Sequence, residues 1–70
     1  MSRDDFEELV APERFSPFVI VTNDGAKFPV TEAERPHVLA AARMVVIMDA
    51  FGDLTHIPYR SIAHIHEPKA

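Results

Sequence analysis

Phe15-Ser16-Pro17-Phe18-Val19-Ile20-Val21-Thr22-Asn23-Asp24-Gly25-Ala26-Lys27-Phe28-Pro29-Val30 decides the fold. It reads as two strands joined by a tight turn. Phe18 to Thr22 is made of Phe, Val, Ile and Thr, side chains that suit a pleated, half-buried surface. Asn23-Asp24-Gly25 follows, and Gly25 supplies the positive φ that a short hairpin loop demands. Lys27 to Val30 alternates polar and apolar as a returning strand does. Pro29 has no N–H to donate, which places that strand at an edge or a bend. Phe18, Ile20 and Thr22 share one face, Val19 and Val21 the other. A strand with two apolar faces expects cover on both sides, from its own helix or from another subunit.

Upstream, Ser2 is placed to cap a helix whose first turn holds Asp4 and Asp5, near the positive end of the helix dipole. Phe6, Leu9 and Val10 form an apolar stripe at i, i+3, i+4. Pro12 disfavours helix at Ala11, so the predicted helix lies within residues 1–11. Two turns do not stand alone, and the stripe predicts that this helix lies on the sheet.

Downstream, Arg35-Pro36 interrupts any helix begun at Glu32. A short strand is predicted near Val38–Ala40, a buried strand at Met44–Met48, a turn at Ala50–Asp53 and a strand at Leu54–Ile57. A 3₁₀-like turn at Pro58–Ser61 precedes the last strand, Ile62–His66. The reading is a mostly β (α+β) chain: a short N-terminal helix, then about five strands curled into a small Sm-like or SH3-like barrel over residues 17–67. Curling removes the exposed edges of so small a sheet.

Composition bounds what this fold does. Seventy residues make one small domain over residues 1–70. A core of that size contributes about 3–5 kcal/mol. With no Cys there is no disulfide or thiolate chemistry. No apolar run reaches membrane-spanning length and no basic leader precedes an apolar core, so the expectation is a cytoplasmic protein without a membrane partner. The net charge of −4 resides in residues 1–13, where Asp4, Asp5, Glu7, Glu8 and Glu13 face only Arg3. Six acids and six bases balance beyond them. That is not the strongly basic surface of a phosphate-neutralising protein.

Two resemblances arise from these residues. Phe15-Ser16-Pro17-Phe18, Asp24-Gly25 and Phe28-Pro29-Val30 resemble a pattern in a group of uncharacterised small bacterial proteins of about this length, over most of the chain. The element order is also similar to the Sm-like family, which includes the bacterial RNA chaperone Hfq. Val19 to Phe28 resembles the family's first motif: an apolar strand, an Asn/Asp-Gly turn and a strand with an apolar anchor. Ile57-Pro58-Tyr59-Arg60-Ser61-Ile62 resembles the second: a strand, a basic 3₁₀ turn and the last strand. The resemblance implies RNA contacts at Tyr59 and Arg60, and a ring built by pairing strands four and five between subunits. Where the family bends its second strand at a glycine, this chain has Pro29-Val30, and the family chaperone's Lys-His pair is not reproduced.

Candidate sites follow. Tyr59 and Arg60 offer a stacking aromatic and a cation to single-stranded RNA, with Lys27 and Arg43 as further cations; alternatively Tyr59 packs at a barrel end. Val19, Val21, Val45, Ile47 and Ile65 are the expected interface of a homo-oligomer. His64 and His66 share a strand face at i, i+2. They could mark a pH-sensitive subunit interface or hold a metal with His56 or Glu67, but two imidazoles are too few for a closed site, and no metal or cofactor is assigned. Asp24, Asp49 and Asp53 sit at turns, where Asp bonds its own backbone. Phe51 is either a partner contact or a side chain folded back on the barrel. No phosphate loop, catalytic triad or dinucleotide fingerprint is present. The expectation is a non-enzymatic module that binds copies of itself, or alternatively RNA, with another protein as a further partner.

Overall fold

A computed structural model describes residues 1–67 of the protein. Helix α1 spans Arg3–Leu9 and is closed at its start by a capping box. The Asp5 amide donates to Ser2 Oγ at 3.2 Å, and the Ser2 amide donates to Asp5 Oδ2 at 3.3 Å. Two otherwise orphaned donors are thereby satisfied. The helix stops ahead of Pro12, which opens a 3₁₀ turn at Pro12–Arg14. No helix among the described residues is long and apolar enough to cross a membrane.

Six strands follow: β1 Phe18–Thr22, β2 Lys27–Val30, β3 Val38–Ala40, β4 Met44–Met48, β5 Leu54–Pro58 and β6 Ile62–His66. They make two three-stranded antiparallel sheets, β2-β1-β6 and β3-β4-β5. Each of the six segments read as a strand forms one, so the expectation of about five strands, and with it the five-stranded barrel, is corrected to six. The ladder runs on neither from β2 into β3 nor from β5 into β6, so the strands stand as two sheets rather than one closed ladder. The physical cause is local. After Val30 the chain turns at Thr31, whose carbonyl accepts the amides of Glu34 and Arg35 at 3.1 and 3.0 Å. Pro36 then sits in a 3₁₀ turn at Arg35–His37. Neither turn can carry a ladder, and β3 begins in the other sheet.

Of the three hairpin turns, those joining β1 to β2 and β4 to β5 rest on glycine. Gly25 and Gly52 have φ of 89° and 84°, where a Cβ is disfavoured. Beside Gly25 the amides of the turn close onto the Thr22 carbonyl and the Asp24 carboxylate. Pro29 lies on edge strand β2 opposite Val19.

The core lies between the sheets. Phe18, Ile20 and Val30 come from one sheet, Val45 and Ile57 from the other, with Phe6 from α1 and Tyr59 from the turn before β6. Phe6 is fully buried and meets Phe18 edge-to-face, centroids 5.8 Å apart at 83°. This arrangement matches the aromatic quadrupoles and adds to the gain from area alone. The helix is thus fastened by one residue inserted into the mouth between the sheets.

Candidate functional site

Tyr59 is buried, not displayed. It opens a 3₁₀ turn at Tyr59–Ser61, its ring lies 6.4 Å from that of Phe6, and its hydroxyl donates to the Ala41 carbonyl at 2.6 Å. Burial pushes its phenol above the ordinary value of 10.0. A ring so enclosed has no face for a base, which corrects the stacking role expected for it. The Tyr59 amide donates to the Arg43 carbonyl at 3.3 Å, so exposed Arg43 and exposed Arg60 lie near one another on either side of it. Lys27 is on β2, the edge strand of sheet β2-β1-β6, and Arg60 leads into β6 of that same sheet. The four expected RNA contacts therefore separate into a buried anchor, two neighbouring cations and one cation on the outer face of sheet β2-β1-β6.

The expected interface residues also divide. Val45 is fully buried in the core of its own chain, so it offers nothing to a partner. Ile47 and Ile65 are half-buried and pack against that core. Val19 and Val21 alternate with the inward Phe18, Ile20 and Thr22, and so belong to the outer face of sheet β2-β1-β6. There Val19 faces Pro29 and His66 across the ladder, and Val21 faces Lys27 and His64. Val19, Val21, Lys27, His64 and His66 line a groove of about 370 Å³. His56 lies on β5 of the other sheet, so it is no third ligand for the His64–His66 pair. Among the described residues no three His, Asp or Glu side chains gather to hold a metal ion.

The largest departure from expectation is the outer face of sheet β3-β4-β5. Leu39, Val46 and His56 stand in register across it, with Met48 opposite Leu54. Leu39 is 62% and Leu54 55% exposed, and Phe51, in the turn joining β4 to β5, is 90% exposed. Phe51 therefore does not fold back. Within β3, Val38 and Ala40 are half-buried and Leu39 is exposed, but Val-Leu-Ala is apolar throughout, so the sequence carried no alternation to reveal this face.

The turn aspartates do what turn aspartates do. Asp24 accepts from the Thr22 hydroxyl and from the Ala26 amide, and these bonds hold its carboxyl below the usual value of 3.8. Asp49 accepts from the amides of Phe51 and Asp53 at 2.9 and 3.0 Å. Asn23 ties the first hairpin to the last turn: its side-chain amide donates to the Arg60 carbonyl at 3.1 Å and its backbone amide to that of Ser61 at 2.8 Å. A cleft of about 340 Å³ beside this joint is lined by Asp24, His56 and Ser61 among others, but Asp24 is already engaged within its own turn.

Compared with known proteins, the chain matches no family model, no curated protein and no solved structure. The functional reading therefore rests on the surfaces just described.

Proposed function

We propose that the protein is a non-enzymatic assembly module whose two sheets form a partly open barrel of the Sm-like or SH3-like kind. The chain order supports the barrel: consecutive antiparallel strands, a 3₁₀ turn before the last strand, and a last strand that returns to pair with the first. Self-association is carried by one observation, the apolar outer face around Leu39, Met48 and Leu54, extended by Phe51.

A second copy is the occupant this face suits. Its strand residues Leu39, Val46, Met48, Leu54 and His56 include no carboxylate, lysine or arginine, and the exposed carboxylates Asp49 and Asp53 lie in the adjoining turn at its margin, so stacking two such faces buries no formal charge from the strands. The pairing also adds burial to a domain whose own fully buried set is small. Sedimentation equilibrium from micromolar to millimolar concentration tests it. A dimer or larger species is expected, with Leu39→Glu and Leu54→Glu each shifting the mass to monomer in about 0.5 M NaCl, where contacts between exposed charges are screened. A monomer throughout that range overturns the reading.

A second reading, single-stranded RNA binding, draws support from the neighbouring cations Arg43 and Arg60. It predicts salt-sensitive binding of short A-rich or U-rich oligonucleotides, weakened by Arg60→Ala. No anisotropy change at low salt removes it.

A further inference from the structure

We propose that the groove on the outer face of sheet β2-β1-β6 receives the acidic helix α1 of a second copy of this chain, a head-to-tail contact distinct from the apolar face. The groove has an apolar floor, Val19 and Val21 of β1, between Lys27 of β2 and His64 and His66 of β6. None of these lining residues is acidic. Its ionisable groups are one lysine and two imidazoles.

The complementary surface is on the same molecule but cannot reach the groove from within it. Asp4, Asp5, Glu7 and Glu8 are all exposed on α1. Glu7 is paired with Arg3 at 3.4 Å, and Asp5 serves the capping box. Asp4 and Glu8 are left facing solvent. Phe6 fixes its own helix in the mouth between the sheets, whereas the groove lies on the outward side of one of them. Charge complementarity is therefore met only between copies. One copy gives a helix and the next gives a groove, so the contact is heterologous and propagates into rings or filaments.

The test is sedimentation velocity of the full chain carrying Leu39→Ser and Leu54→Ser, which silences the apolar face and makes the two contacts separable. Association is expected at low ionic strength and should vanish in about 0.5 M NaCl, where the screening length falls to a few ångströms. Lys27→Glu, His64→Gln with His66→Gln, and Asp4→Asn with Glu8→Gln should each weaken it by about 3–10-fold, the loss of two exposed charge contacts. The charge-matched control Glu32→Gln with Asp53→Asn should leave it unchanged. No association at low ionic strength, association that the control weakens as much as the helix variant does, or a chain that binds poly-glutamate without binding itself would each overturn the proposal.

Discussion

Tyr59 shows what a single hydroxyl contributes. Its O–H is held by the Ala41 carbonyl, and its ring fills the space beside Phe6. Removing the hydroxyl in Tyr59→Phe leaves a carbonyl short of a partner, and urea unfolding should register a loss of about 1–3 kcal/mol. The raised phenol gives the pH sign. The fold favours the protonated form, so its contribution is whole below the ordinary value of 10.0 and drains away as pH climbs through the raised folded value. Alkaline destabilisation above that point should therefore be smaller in Tyr59→Phe than in the parent. Asp24 has the opposite sign. Its carboxyl is lowered first by the Thr22 hydroxyl and then by the Ala26 amide, so its contribution stands above 3.8 and is lost as acid takes the pH through the lowered value. In Thr22→Val a carboxyl-detected NMR titration should find the Asp24 midpoint moved up toward 3.8, and an unmoved midpoint would reject the assigned cause.

Helix α1 is an element with one anchor. Its seven residues cannot sustain a helix in isolation, and Phe6 is its fully buried side chain. Phe6→Ala should cost about 3–5 kcal/mol, comparable to the whole gain expected from a core of this size. Circular dichroism of that variant should show a largely unfolded chain at 25 °C. Leu9 and Val10 are only half-buried and should tolerate truncation better. The elements were largely legible in the sequence. Ser2, Asn23-Asp24-Gly25 and Pro12 each impose a local backbone constraint, and the strands carry period-two alternation. Stacking and packing both stayed open for Tyr59 because a three-residue turn has no periodicity to say which side meets the core, and its burial decides for packing. Val45 was misread for a related reason: a strand apolar on both faces does not declare which one its own chain covers. The break into two sheets depended on Thr31 and Pro36 acting together, a combination that pattern matching along one strand does not weigh.

Across the whole molecule the two outward faces belong to different sheets and differ in physics. The face around Leu39 and Leu54 is apolar, and the groove around Lys27, His64 and His66 is cationic. Their associations should therefore respond independently. Leu54→Glu should abolish the salt-resistant species and leave the salt-sensitive one, and Lys27→Glu should do the reverse, read by sedimentation at two ionic strengths. Loss of both species in either variant would mean a single shared interface. The topology has one more consequence, for the chain as it is made. Sheet β3-β4-β5 is built from neighbours within residues 38–58, whereas β1 waits for β6, more than forty positions further on. During synthesis β1 gains β2 within a few residues but completes its pairing only once β6 has been made. Until then Val19 and Ile20 keep one flank unpaired, and that interval is when a nascent copy is most open to trading strands with another.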